Sequence, residues 1–289
     1  MLRPYKNTTE SNTYLSPHMK AKKSFGQHFL TQEPIAERLA TSLVTTGCGA
    51  IVEVGPGKGI LTKYLLQQPL PVIAVELDRD LIPILERDFK DTSLKIVQGD
   101  ILRVRFDEIL GTDISFVIAG NFPYNISSQI VFLGLQHRHR VPFMAGMFQR
   151  EMAERICSPP GSKEYGVISV LTQAYYTTTM LFYVKPGSFS PPPKVNSAVI
   201  ALTRIRAEID GLPFQVLRQV VKMGFSQRRK KLRNTLKPLI AEEVLRDMGF
   251  ADLRPEQLSV DQFIRIGLHV AQTGGAIIAS EDFLSDTVE

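Results

Sequence analysis

Three sets of residues in this chain have the types and spacing for chemistry. Glu53-Val-Gly55-Pro-Gly57-Lys-Gly59 is a glycine-rich turn directly after a short apolar run. Its glycines let the backbone turn sharply and come close to a ligand. The spacing is GxGxG rather than GxGxxG, and Lys58 is followed by glycine rather than Ser or Thr, so a pyrophosphate cradle is not supported. Glu76 ends the next apolar run, at about the 20-residue interval where a doubly wound sheet sets an acid against ribose hydroxyls. Asp100, after Gly99, ends the third run and can accept from an adenine amino group. Acids at three successive strand ends share one sheet edge, the edge where open α/β sheets bind ligands. An adenosine with a small charged tail fits better there than a dinucleotide, and S-adenosylmethionine is such a molecule. Each acid alone could instead cap a helix, as Asp78 and Asp80 are expected to do.

The fourth run leads into Asn121-Phe-Pro-Tyr124. An adenine N6 amine is a weak nucleophile because its lone pair is delocalised into the ring. Two acceptors on its hydrogens would draw the nitrogen toward tetrahedral geometry. The Asn121 side-chain oxygen and the Phe122 carbonyl can serve, since Pro123 fixes its own φ and biases Phe122 to an extended shape. Tyr124 offers a face on which an extruded base can stack. Transfer from a sulfonium is an in-line displacement that needs alignment rather than a strong base. The bland alternative is an Asn-Pro turn over a core tyrosine.

Those residues need a scaffold, and the apolar pattern supplies one. The runs 51–54, 72–76, 94–98, 116–120 and 143–148 are short and apolar at nearly every position, with helical stretches between them. That pattern predicts βαβ units and a mostly parallel sheet. Two more strands are expected at 180–184 and 195–203, joined by a proline-rich, non-helical connector over Lys185–Lys194. Before the sheet, Thr31 is expected to cap a helix carrying Ile35, Leu39 and Leu43. After about Arg206 the strand signals stop. Phe214, Leu217, Val221 and Phe225 predict one helix, and Ser226 is expected to cap a second reaching Lys237. A third is expected at 241–248 with Gly249 after it. A Ser259–Gln262 capping box opens a fourth. His137-Arg-His139 reads as a basic helix end, and Tyr175-Tyr176 and Phe182-Tyr183 as core.

Composition narrows the classes. Apolar residues make up 44% and charged residues 22%, as in a globular protein. No apolar run is long enough for a membrane span, and the N-terminus lacks the apolar core of a secretory signal. Two cysteines, Cys48 and Cys157, without CxxC spacing, argue against a disulfide framework or a zinc site and fit a reducing cytoplasmic compartment. The net charge is +5, yet residues 214–237 alone hold eight cations and no acid. Such concentration suggests a polyanionic partner, nucleic acid foremost.

Several longer stretches resemble the rRNA adenine N6,N6-dimethyltransferases. They are Lys23-Ser-Phe-Gly-Gln-His-Phe-Leu30, Glu53–Gly59, Val75–Asp80, Gln98-Gly-Asp100, Asn121-Phe-Pro-Tyr-Asn-Ile-Ser127, Ser162–Val170 and Phe189–Val199. Phe225–Leu236 and Arg254–Ser259 are similar to the small-subunit (16S) branch, the KsgA type. The resemblance implies a Rossmann-like S-adenosylmethionine-dependent methyltransferase domain at 25–206. A flexible arm at 1–24 would precede it; a helical rRNA-binding domain at 207–272 and an acidic tail at 273–289 would follow. It implies a cofactor site of Gln27, His28, Leu30, Gly55, Gly57, Glu76, Asp100 and Asn121. It implies that Asn121, Phe122, Pro123 and Tyr124 handle the target base, with Phe189 stacking on its other side. It implies dimethylation of two adjacent adenosines near the 3′ end of small-subunit rRNA during ribosome biogenesis. Phe122 stands where the family usually has Leu, and His28 where bacterial members often have Asn. A helix over Ser226–Lys237 would put Arg229, Lys230 and Arg233 on one side to follow phosphates, with Arg228 and Lys231 also expected to bind rRNA of the assembling 30S subunit. The expected protein is a monomer without metal or membrane attachment.

Two other functions compete. A large-subunit methyltransferase of the macrolide-resistance type would share the first domain but not the Gln227–Leu236 signature. A non-catalytic RNA-binding assembly factor would not need Gly55, Glu76, Asp100 and Asn121–Tyr124 intact together. A DNA adenine methyltransferase is a weaker rival.

Overall fold

The computed structural model describes residues 27–274, so the expected arm and all but the first two residues of the expected tail lie outside the described residues. In chain order the strands are β1 (Phe29–Leu30), β2 (Ala50–Val54), β3 (Val72–Glu76), β4 (Lys95–Gln98), β5 (Phe116–Asn121), β6 (Phe143–Gln149), β7 (Tyr176–Val184), β8 (Phe189–Ser190) and β9 (Ser197–Arg204). The helices are α1 (Glu33–Thr41), α2 (Thr62–Leu65), α3 (Ile82–Asp88), α4 (Phe106–Leu110), α5 (Ser127–Gln136), α6 (Arg150–Cys157) and α7 (Val167–Gln173), then α8 (Phe214–Phe225), α9 (Leu232–Thr235), α10 (Glu242–Asp247) and α11 (Val260–Thr273). The fold is the expected α/β, Rossmann-like one with a helical C-terminal part.

The main sheet has the order β4-β3-β2-β5-β6-β9-β7. Strands β2 to β6 run parallel, and β9 and β7 add antiparallel to β6. The chain winds outward from β2 to β4, then returns to β5 on the other side of β2. That reversal opens a crevice between the carboxyl ends of β2 and β5, the switch point where such sheets take ligands.

Alternation along the strands divides the core. Ala50, Val52 and Val54 face one apolar layer with Ile118, Phe148 and Ile200. Ile51, Val117, Ala145 and Val199 face the other, with Leu39 and Leu65 of the first two helices. The first layer continues without interruption through α7 and α8 to Phe263 and Ile266 of α11. Apolar burial therefore joins the C-terminal helices directly to the sheet. The two cysteines are free. Among the described residues, no helix is long and apolar enough to cross a membrane.

Several local expectations need correction. Thr31 does not cap α1; Gln32 holds that position, and Thr31 turns both its N–H and its hydroxyl to the Ser188 carbonyl, at 2.9 and 3.0 Å. The long-range bonds pin residues 29–31 to the proline-rich connector, where β1 pairs antiparallel with β8. Strand β7 begins at Tyr176, earlier than the apolar run, because its threonines tolerate an edge. Tyr183 is not a core residue but is 57% exposed. Ser226 closes α8, its hydroxyl donating to the Met223 carbonyl, instead of opening a second helix. Residues 226–229 form turns, and α9 is a single turn. The reason is competition for backbone donors. Leu232 and Arg233 donate their N–H groups to Leu253 and Ala251, so the helical bonds at this point are not made. The capping box at Ser259–Gln262 and the left-handed Gly249, at φ 81°, form as expected.

The Phe122 ring is buried against two glycines. A Cβ on Gly146 would lie 2.1 Å from it, and one on Gly120 2.9 Å. Phe148 meets it edge-on at 5.0 Å between centroids. The Phe122 ring thus fills space beneath the sheet edge. Gly146→Ala should lower stability to urea unfolding by about 1–3 kcal/mol through overpacking. Adding Phe122→Leu should recover part of that loss.

Candidate active site

The glycine turn depends on its dihedrals. Gly55, Gly57 and Gly59 have φ of 66°, 60° and 81°, in the region L side chains avoid. A Cβ on Gly57 would stand 3.0 Å from the Phe29 ring. The turn therefore keeps the groove free of side chains. Gly57 N–H donates to Glu76 Oε2 at 3.1 Å and Asp78 N–H donates to Oε1 at 2.8 Å. The turn thereby fixes the orientation of the carboxylate at the head of the cleft. Burial pushes the Glu76 carboxyl up, and those two N–H bonds oppose the rise.

Glu53 has a different state. It is 1% exposed, and its Oε2 accepts from the Thr62 hydroxyl at 2.7 Å. Burial, with a smaller push from nearby Glu76, raises its pKa to about 8. At neutral pH it is an uncharged acid. Asp100 sits at the third strand end and caps the following 3₁₀ turn, its Oδ1 accepting from Leu102 N–H at 3.0 Å. Arg103 stands 3.8 Å from its Oδ2. Asp78 also works locally, accepting from Asp80 N–H and from Gln27 Nε2, the latter at 3.0 Å.

One cleft gathers these groups. It encloses about 1160 Å³, open mouth included, room enough for a nucleoside with a tail. Gln27, His28, Leu30, Gly55, Gly57, Glu76, Asp100 and Asn121 all line it, as do Phe122, Pro123 and Tyr124. Lining cleft and core at once, Leu30 is 6% exposed. Asn121, at the end of β5, donates from Nδ2 to the His28 carbonyl at 2.9 Å. That bond fixes the amide orientation and leaves Oδ1 as an acceptor. The Tyr124 hydroxyl is 2.6 Å from Ser197 Oγ. Burial raises the Tyr124 pKa despite that bond, so the ring stays a neutral phenol. His28 Nδ1 lies 2.8 Å from the Pro191 carbonyl, which requires a hydrogen on Nδ1, and its ring faces Tyr124 at 5.4 Å, tilted 30°.

Phe189 is the exception. It does not line the cleft but is 4% exposed and packs in the apolar layer with Leu30, its partner in the β1–β8 pairing. Ser197 was missed as a partner of Tyr124. It stands inside the Phe189–Val199 stretch, but a serine alone carries no signal of its contact.

The basic segment is divided as well. Arg228 donates to the Lys163 and Tyr165 carbonyls, and Lys231 and Arg233 both pair with Asp252. Three of the five expected phosphate contacts thus hold the protein together. Arg229 and Lys230 remain exposed. Among the described residues no cluster of His, Cys, Asp and Glu could hold a metal.

Comparison with known proteins places the chain in a family. The family described as ribosomal RNA adenine dimethylase matches residues 18–271. A Flavobacterium johnsoniae protein named ribosomal RNA small subunit methyltransferase A is 47% identical over 248 residues, covering 85% of this chain and 94% of its own. A protein of the same name from Porphyromonas gingivalis is 43% identical over 88% of this chain and 99% of its own. The crystal structure of a dimethyladenosine transferase from Plasmodium falciparum superposes with a TM-score of 0.76 at 23% identity, over 87% of this chain and 100% of that one. That of the 23S rRNA methyltransferase ErmE gives 0.66 at 22% identity, over 84% and 99%. These two likenesses concern the fold.

The buried Glu53 makes a pH prediction. Below its ordinary value of 4.5 the carboxyl is protonated in folded and unfolded chains alike. Between 4.5 and about 8 only the unfolded chain releases the proton, so wild-type stability falls as pH rises through that window. Glu53→Gln should remove this component, and urea unfolding at pH 5.5 and 8 should show the variant gaining on wild type as pH rises.

Proposed function

This chain belongs to the ribosomal RNA adenine dimethylase family, and from that premise we propose that it dimethylates N6 of two adjacent adenosines near the 3′ end of small-subunit rRNA. The enzyme uses S-adenosylmethionine, a fit supported by the Gly55–Gly59 groove and the acids at the ends of β3 and β4. When bound, that molecule supplies an activated methyl group on sulfur. Glu76 would hold the ribose hydroxyls, and Asp100 the adenine amine. Gln27, His28 and Leu30 would close the cleft from the N-terminal side. The substrate is read as the assembling 30S subunit, met by a monomer in the cytoplasm.

The observation that carries the mechanism is the Asn121 amide. Its nitrogen is committed to the His28 carbonyl, so its oxygen is the group available to accept from an exocyclic amine. The Phe122 carbonyl, aimed by Pro123, is the second acceptor. Two acceptors localise the amine lone pair and direct it along the line of displacement. Tyr124 supplies a face for the extruded base, and its phenol is held by Ser197 rather than acting as a base. The buried Phe122 side chain leaves the width of the pocket to backbone and Tyr124. Arg229 and Lys230 are read as phosphate contacts that position RNA without reading sequence.

Labelled methyl transfer to undermethylated small subunits tests this. Asn121→Ala should lower kcat by ~100-fold, as loss of one aligned polar group does elsewhere. A wild-type protein that transfers no methyl to these particles would refute the function. In a separate measurement, replacing Arg229 and Lys230 by Gln should reduce the salt slope of rRNA binding by ~1–2 units.

A further inference from the structure

We propose that Tyr183, backed by Arg150 and flanked by Lys185 and Lys194, is a stacking platform for a single-stranded nucleotide neighbouring the target adenosine. The inference rests on the rRNA reading above and adds a second contact point for that RNA. Tyr183 is 57% exposed, and Val195 beside this rim is 46% exposed. Every base has a face that can stack on such an open ring.

Its place in the fold is specific. Tyr183 pairs in register with Ala198, and the neighbouring Val184 with Ser197. Ser197 is the residue that holds the Tyr124 phenol. Gln149, the end of β6, also pairs with Ser197, and Arg150 follows it. The ends of β5, β6 and β7 and the start of β9 therefore form one continuous rim, on which Tyr183, paired with Ala198, projects on the α6 face of the sheet and Ser197 on the other. From β5 to β7 is three strand spacings, about 14 Å, a distance spanned by about four stacked nucleotides at ~3.4 Å each.

The ring is held ready. Arg150 Cζ lies 5.2 Å from the Tyr183 centroid and covers one face. Glu154 accepts from Arg150 Nε at 2.6 Å and from the Tyr183 hydroxyl at 3.4 Å. The Arg150 N–H donates to the Asn196 carbonyl, which ties this corner to the segment carrying Lys194. With one face covered, the exposure belongs to the opposite face and the edge. Glu154 balances the charge of Arg150, whereas Lys185 and Lys194 are exposed and pair with no acid among the described residues. The rim thus combines an open planar ring with surplus positive charge. That combination suits a nucleic-acid strand, whose phosphates meet the lysines and whose bases stack on the ring.

The test uses the full-length protein and an rRNA fragment containing the adenosines that the wild-type enzyme methylates, mapped first. A failure to map any would remove the underlying reading and is thereby separate from this inference. Binding is then measured for that fragment and for versions trimmed by four nucleotides on either side of the target. Tyr183→Ala should weaken binding of the full fragment about tenfold, and Tyr183→Phe should restore it. On one of the trimmed fragments, wild type and Tyr183→Ala should bind alike. Calorimetry with S-adenosylhomocysteine should give equal affinities for all three proteins. Equal binding of the full fragment by wild type and Tyr183→Ala would overturn the platform. So would an undiminished loss on both trimmed fragments, or a loss shared with S-adenosylhomocysteine.

Discussion

The hydrogen bond from Asn121 Nδ2 to the His28 carbonyl is the constraint on which the site depends. It joins the end of β5 to a segment 93 residues earlier in the chain. Without it the amide could flip, and the group facing an incoming amine would as readily be a donor as an acceptor. The bond also places residues 27–30 over the cleft. The same segment is held from its other side by the Pro191 and Ser188 carbonyls. Ligand pocket and base pocket therefore share one wall, and ordering that wall for one prepares it for the other.

The sheet makes this economy possible. Its reversal at β2 and β5 brings Gly55 and Asn121 to adjacent strand ends, with Glu76 and Asp100 continuing outward on the ligand side. On the opposite side, β6, β9 and β7 extend the rim and carry Ser197. Keeping Glu53 neutral limits the repulsion among the clustered acids. Burial raises the Glu76 carboxyl too, but backbone donors oppose that rise. Two carboxyls on neighbouring strands thus differ in their partners, one bonded to backbone N–H groups and the other to a hydroxyl in an apolar layer.

Much of this was legible in the residues. Strand runs such as 72–76 appear where the apolar pattern puts them, since burial on both faces leaves a continuous signature. The GxGxG turn and the Ser259 capping box are local and were read correctly. What failed was decided at long range. The 226–237 segment has helical periodicity, but Ala251 and Leu253 take its backbone donors and Asp252 takes two of its cations. Thr31 looks like a cap until the Ser188 carbonyl, 157 residues away, claims it. The β1–β8 pairing that sets Phe189 against Leu30 is a two-residue match no periodicity could reveal. The Tyr124–Ser197 contact is of the same kind. Local sequence encodes propensity, whereas these contacts depend on which distant groups happen to be within reach.

The account stands on Asn121 Oδ1 accepting from the exocyclic amine, and one comparison tests that contact directly. Binding of S-adenosylhomocysteine-loaded protein would be measured for an rRNA fragment with adenosine at the target position and for one with purine riboside, which lacks the amine. Wild type should favour adenosine by about tenfold, the worth of one buried hydrogen bond, and Asn121→Ala should show little preference. Equal discrimination by the two proteins would mean that the amide does not recognise the amine, and the proposed geometry of transfer would be wrong.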